Sequence, residues 1–274
     1  MAVKKLITKK TKGIITDLSS QDYHNDRLFK SSSVLKTALT DPLEYYQVYV
    51  EGKPIDKKNQ DALNLGSYLH TVFLEPEKVS DEFAIFSGPR RAGAAWEQFA
   101  WQNRDKIIIT DSQQQLGHKL SVQFAHAKVD MGNKSLLGPQ LFHGGRAEES
   151  FFCELNGMRI KTRTDYRIED SLIIRDLKTT NQTPNSVEEA KAIVDSFGYD
   201  LSAALYVDVM KEITGKDYEF QLVFLSKTDF KTNVYRVSDK TLALGRAKYL
   251  EAIELIKSWE ATGEYHAIKK IREV

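Results

Sequence analysis

The chain has 274 residues, enough for one large domain or two smaller ones. Hydrophobic residues make up 41% and charged residues 28%, the balance of a globular chain rather than a disordered one. Lys+Arg 39 against Asp+Glu 38 leaves a net charge of +1, so any nucleic-acid contact must come from a local patch, and a single cysteine, Cys153, excludes an internal disulfide framework, a Cys-based zinc site and a four-Cys iron–sulfur cluster.

No apolar run approaches the ~18 residues of a membrane helix, and the N-terminus lacks a secretory apolar core. Lone-cysteine usage fits a reducing compartment, which points to the cytoplasm and to no membrane partner. Residues 1–20 carry Lys4, Lys5, Lys9, Lys10 and Lys12 and read as a solvated basic tail. No internal repeat or low-complexity segment stands out. Ser32 and Ser33 cap a short helix through Leu39. Asp41-Pro42 reads as an N-cap followed by Pro at N1, opening a helix to about residue 50. Residues 51–60 read as a polar loop. Ala62, Leu65, Leu69, Val72 and Phe73 recur at helical spacing, and Glu75-Pro76 ends that helix. A helix is expected over about 92–103 and a longer one, capped by Thr110 or Asp111, to about 129.

Near Arg146 the pattern changes. Segments 148–155, 158–168 and 171–179 read as strands, with Asn156-Gly157 as a hairpin turn and Glu169-Asp170 as a tight turn. Helices follow over about 186–196 and 199–214, the second stopped by Gly215. Strands 217–226 and 232–238 and a final amphipathic helix over 239–262 complete a mixed α/β outline with a helical N-terminal part.

The three-strand meander gathers charge. With two-residue turns, Glu148 lies opposite Asp165 and Asp165 opposite Ile174. Alternation of side chains then puts Glu148, Asp165, Asp176 and Lys178 on one face. Opposed carboxylates repel, and a cation relieves that repulsion. Hard oxygen donors at a partly hydrated site suit Mg²⁺ or Mn²⁺, and Lys178 can neutralise a phosphate or help to activate a water. Lys161, Arg163 and Arg167 share the parity of Asp165, so a solvated face of surface ion pairs is the competing reading. With Arg90 and Arg91 they form the best local basic cluster, suited to phosphate contacts that position a duplex without reading its sequence. Trp96 and Phe99, three residues apart, read as helix core.

Asp165, then Asp176-Leu177-Lys178, resembles the D…(D/E)XK signature of the PD-(D/E)XK nuclease superfamily. Gly66-Ser67-Tyr68-Leu69-His70 with Leu74-Glu75-Pro76 resembles the G-x-x-x-H helix of its RecB/RecE-like branch. Ser87-Gly88-Pro89-Arg90-Arg91-Ala92-Gly93 with Trp96 resembles a stretch of the RecE-type exonuclease domain (the exonuclease VIII C-terminal domain). Glu148-Glu149-Ser150-Phe151, the segment from Phe197-Gly198-Tyr199 to Tyr206, and Ser33 to Tyr45 fit as well, so the likeness spans roughly residues 20–265.

The resemblance implies a restriction-endonuclease-like α/β core, a central mixed sheet flanked by helices. It implies one nuclease domain over 21–270, helical to about 145, with the sheet core over 146–238 and the last helix over 239–262. It implies that His70, Asp165, Asp176 and the Leu177 carbonyl hold Mg²⁺, with Mn²⁺ able to substitute. Lys178 would orient the attacking water, Glu148 would add an acidic group, and Tyr206 would serve either as core or as a hydroxyl near the phosphate. The relatives are similar to lambda-type exonucleases, which implies 5′→3′ degradation of double-stranded DNA ends, 3′ overhangs for recombination, a homo-oligomeric ring and a RecT-like single-strand annealing partner. Two features depart from the pattern. Ser202 stands where the family usually has Gln, and Asp200 where it often has His. They keep open a DNA-binding or assembly protein with a decayed nuclease site, beside a structure-specific or single-strand endonuclease.

Overall fold

The computed structural model describes residues 7–54, 60–132, 134–181 and 183–265. Lys4 and Lys5 of the expected tail and residues 55–59 of the expected polar loop lie outside that description. In chain order the elements are β1 (Gly13–Ile15), α1 (Ser20–Asn25), α2 (Ser32–Thr40), α3 (Pro42–Tyr45), a π-helical turn (Tyr46–Val50) and α4 (Gln60–Leu74). A 3₁₀ turn (Pro76–Lys78), α5 (Val79–Glu82), β2 (Phe83–Phe86), α6 (Ala94–Gln102), β3 (Ile107–Thr110) and α7 (Asp111–His126) follow. Then come β4 (Lys128–Asp130), β5 (Ser135–Leu137), α8 (Gly138–Leu141), β6 (Arg146–Leu155), β7 (Met158–Ile168) and β8 (Ile173–Thr180). The chain ends with α9 (Val187–Phe197), α10 (Tyr199–Thr214), β9 (Glu219–Ser226), β10 (Thr232–Arg236) and α11 (Asp239–Thr262).

The local chemistry explains the boundaries. Asp41 accepts a hydrogen bond from the Glu44 amide at 2.9 Å, and Pro42 opens α3, as the Asp-Pro pair predicts. Thr110 caps α7 in a reciprocal capping box with Gln113. Gly215 takes the left-handed conformation that stops α10.

The main sheet runs β1-β6-β7-β8-β9-β10. All neighbours are antiparallel except β8 and β9, which are parallel. A parallel pair needs a crossover, and α9 and α10 supply it. One face of the sheet packs Phe151, Ile174, Phe220, Leu222 and Phe224 against α2, α10 and α11. The other packs Tyr166, Leu177, Val223 and Leu225 against α4, α7 and α8. This is the expected mixed sheet flanked by helices, and no helix among the described residues is long and apolar enough to cross a membrane.

Two expectations shift. Residues 13–15, placed in a solvated tail, form β1 and pair with β6, with Gly13 opposite Phe152. Three residues are too short a run for alternation to show. The β7–β8 turn is longer than expected: Leu172, at φ +54°, donates its amide to the Glu169 carbonyl at 3.2 Å, and Ile168 pairs with Ile173 rather than with residue 171. The register therefore slips by two. A slip of two keeps every side chain on its expected face, whereas a slip of one would have reversed the set.

Candidate active site

The β6–β7 hairpin sets the first part of the site. Leu155 pairs with Met158 across Asn156-Gly157, as the turn chemistry predicts. The same register leads to Arg146 opposite Arg167 and places Glu148 across from Asp165, between the pairs Ala147–Tyr166 and Glu149–Thr164. The ladder is interrupted there, because Glu148 sits at φ +50°. A bulky residue in that region is strained, and observed strain of this kind clusters at functional sites. The two-residue slip between β7 and β8 brings Asp176, not Ile174, to the place across from Asp165. The Leu177 amide donates to Asp165 Oδ2 at 2.7 Å. Leu177 thus meets Asp165 through its N–H.

His70 arrives from α4. Leu69 is fully buried in the second core and fixes the helix against the sheet. Helix α4 also lies close to α7: a Cβ at Gly117 would stand 2.6 Å from the Tyr68 ring, so only glycine permits that approach. His70 Nδ1 comes to 3.6 Å from Asp165 Oδ2. Ligand atoms of His70, Glu148 and Asp165 lie within 4.8 Å of one another. Asp176 and Lys178 adjoin this trio and pair with each other at 2.5 Å. Lys178 also stands over the Tyr199 ring, 5.0 Å from its centroid.

Electrostatics mark the same residues. Burial, and then the Asp165 charge, push Glu148 up to about 8, against the pull of Arg163. Burial and then Asp176 raise Asp165, with His70 and Lys178 pulling the other way. Burial disfavours the Lys178 charge, but Asp176 and Asp165 outweigh it and raise its pKa. Carboxylates displaced upward by one another are what a cation would relieve. Two hard carboxylate groups and one imidazole, with a third carboxylate beside them, fit a small divalent ion.

Tyr206, on α10, packs its ring edge-on to Phe220 at 5.9 Å. Its hydroxyl is held well above the ordinary range by burial and then by Tyr23, Asp176 and Asp165, so it is both core and neighbour of the site. Glu149 is 1% exposed and bound to Arg167, which leaves Glu148 as the carboxylate in the cluster.

The expected basic cluster does not form. Lys161 is buried, donating to the carbonyls of Tyr23 and Asp26 and pairing with the Asp26 carboxylate at 3.0 Å. Arg163 is buried between Ser150 and the Leu18 carbonyl, both at 2.8 Å. Arg167 is buried as well, over the Phe151 ring, held by Glu149 and Tyr218. Sharing a parity does not make these three a solvent-facing cluster, because each is buried and held by groups from elsewhere in the fold. Arg91 is half-buried and ties Asp61 to the Ile108 carbonyl. Only Arg90 of the five stays exposed. Trp96 and Phe99 are half-buried and pack on Phe86 at 5.1 and 5.2 Å.

Asp200 is also structural. It is 1% exposed and pairs with Lys248 on α11 at 2.5 Å. A Cβ at Gly245 would stand 2.0 Å from the Asp200 carbonyl oxygen, so the α10–α11 approach requires that glycine. Sequence reasoning missed Lys36 and Tyr199, which approach Lys178 from α2 and α10. A lysine within the mostly apolar run Val34–Ala38 was the available signal for the first.

The acid-bearing β-meander with a Lys two residues beyond its central Asp is the arrangement of the PD-(D/E)XK nuclease superfamily, and the family model that matches the chain places it there. The chain belongs to the family described as a PDDEXK-like domain of unknown function, whose model matches residues 31–266. Among solved structures it is similar to a protein of Eubacterium rectale titled "Putative exonuclease", at 16% identity and a TM-score of 0.64, over 94% of this chain and 96% of that one. A likeness at that identity shows the fold. A second structure, of SSO0001, matches with a TM-score of 0.26 and 16% identity over 39% of this chain and 50% of that one, too little to carry an argument. None of the curated proteins matches the sequence.

Proposed function

We propose that the protein is a Mg²⁺-dependent exodeoxyribonuclease that degrades one strand of linear duplex DNA from its 5′ end. The observation that carries this is the convergence of His70, Glu148 and Asp165 within 4.8 Å, with Asp176 and Lys178 paired alongside. Phosphodiester hydrolysis needs an in-line water and stabilisation of charge on the phosphate and the leaving oxygen. His70, Glu148, Asp165 and Asp176 would hold the cation, which when bound supplies that stabilisation. Lys178 contributes a second positive charge to the phosphate and orients the water. The Leu177 amide and His70 fix the Asp165 carboxylate, and Arg163, 3.9 Å from Glu148, steadies the strained acid. Tyr206 presents a neutral hydroxyl at the margin.

Exonuclease action is favoured over endonuclease action by the RecE-like segments around Gly66–His70 and Ser87–Trp96. The same likeness supports a ring of identical subunits, a role in recombination and a single-strand annealing partner. A decayed site is disfavoured, because the acids and the lysine are all in place and Asp200 has a structural ion pair. Of the five residues of the basic cluster read from sequence, Arg90 is the one left with an exposed side chain for backbone phosphates.

The test uses linear duplex labelled at the 5′ or the 3′ end, and a covalently closed circle, with Mg²⁺ or EDTA, for the parent and Asp176→Ala. Mg²⁺-dependent release of 5′ label that Asp176→Ala abolishes, with the circle intact, is the expected result. Cutting of the circle would replace this reading with an endonuclease. Intact DNA with every divalent metal would overturn catalysis altogether.

A further inference from the structure

The junction of α9 and α10 carries an aromatic step beside the site that the hydrolytic residues do not use. Phe197 ends α9, Tyr199 opens α10, and Gly198 between them takes φ +59°. That left-handed turn brings the two rings into a stack, with centroids 5.5 Å apart and planes 16° from parallel. Tyr199 is the ring that Lys178 covers. Phe197 is 61% exposed, so the stack runs from the catalytic lysine outward to solvent. An exposed phenylalanine is ordinary by itself. One continuous with a site lysine is a different matter, because it extends the site.

A second lysine shares this step. Lys36 Nζ, from α2, stands 5.5 Å from the Tyr199 centroid and donates to the Phe197 carbonyl at 3.1 Å. Among the described residues no carboxylate lies within ion-pair distance of it, whereas Lys178 has Asp176. Burial, and then the neighbouring Lys178 charge, pull Lys36 down to about 8, against the more distant carboxylates of Asp176 and Asp200. A half-buried ammonium beside a second ammonium, with a carbonyl for a partner, is a place where an anion is welcome. An open aromatic face next to an anion-seeking lysine matches a nucleotide, which has one flat base and one phosphate.

We propose that Phe197, Tyr199 and Lys36 form a nucleotide subsite that stacks the unpaired terminal base of the DNA strand and binds a phosphate beside it. This rests on the nuclease reading and adds to it how a strand end is held. Stacking accepts every base, so the subsite grips ends without reading sequence. It also separates two lysine roles: Lys178 serves the bond that breaks, and Lys36 the adjacent nucleotide.

The experiment uses the whole chain and a linear duplex with 2-aminopurine as the 5′-terminal base, carrying either a 5′-phosphate or a 5′-hydroxyl. Binding in EDTA is followed by quenching of the base, and KM and kcat are measured separately on the same DNA with Mg²⁺. Phe197→Ala is expected to abolish the quenching and to weaken end binding by about tenfold, with Phe197→Trp restoring both. Lys36→Gln is expected to raise KM with kcat nearly unchanged. An effect confined to 5′-phosphorylated ends assigns the terminal phosphate, and an equal effect on both ends assigns an internal one. Unchanged quenching and KM in both Phe197→Ala and Lys36→Gln would overturn the subsite while leaving the nuclease standing. Intact DNA with all metals would instead overturn the nuclease reading, and quenching in EDTA would still report on the subsite. Phe197 is exposed, so its variants are expected to melt with the parent. A loss of binding at unchanged Tm therefore reports contact rather than folding.

Discussion

Strand β7 carries two charged regions that look alike in sequence and behave as opposites in the fold. Toward its start and at its end, Lys161, Arg163 and Arg167 are buried, and each has several partners. Arg167 alone holds both Glu149 oxygens, at 2.7 and 3.2 Å, and the Tyr218 hydroxyl at 3.1 Å. Between them Asp165 faces Glu148 and adjoins Asp176, with one amide, one imidazole, one lysine and the more distant Arg163, 3.9 Å from Glu148, to answer three acids. The first region is neutralised within the chain and holds it together. The second is left short of positive charge, and that shortage is what a bound cation and substrate would fill. Buried charge identifies a site only when the protein has not already compensated it.

Substitution separates the two regions. Asp165→Asn is expected to lower nuclease activity on the order of 10³-fold with Tm unchanged or raised, because it removes repulsion along with the ligand. Arg167→Ala is expected to do the reverse to the fold: stranding the buried Glu149 costs about 3–5 kcal/mol. That should lower Tm by roughly 10 °C in a thermal melt. If Arg167→Ala melts with the parent, the division between compensated and uncompensated charge is wrong.

Metal sharpens the contrast. Mg²⁺ at about ten to a hundred times its Kd should stabilise the parent by roughly 1.5–3 kcal/mol, read as a higher Tm. Asp165→Asn should lose that increment, and calorimetric titration with Mg²⁺ checks the same point.

The smallest effect concerns Glu148 without metal. Its pKa rises from 4.5 when unfolded to about 8 when folded, so between those values the folded state binds more protons. Stability then falls as pH rises through that window. Glu148→Gln should remove the slope, raising Tm in EDTA by a few °C near pH 8 and by less near pH 5. An equal shift at both pH values would show that Glu148 is not held neutral.

Much of the fold was legible because local chemistry wrote it. The boundaries of α10 and α11 follow from Gly215 and from Ser238, whose side chain caps the last helix. The β6–β7 hairpin follows from Asn156-Gly157. The short elements β1, β2 and β3 were not legible: β2 and β3 pair in parallel across more than twenty residues, and four-residue apolar runs do not declare a partner. The candidate site was legible in part. The meander grouped Glu148, Asp165, Asp176 and Lys178 although one turn length was wrong, because an even slip preserves the faces.

The sequence by itself determined most of the order of elements and the meander that groups Glu148, Asp165, Asp176 and Lys178, because hydrogen-bond caps, turn types and two-residue alternation act over neighbouring positions. Only the tertiary structure decided which charges were free. Compensation depends on groups far apart in the chain, such as Asp26 on Lys161 and Glu149 on Arg167. Parity along β7 therefore could not tell a compensated, buried charge from one facing solvent.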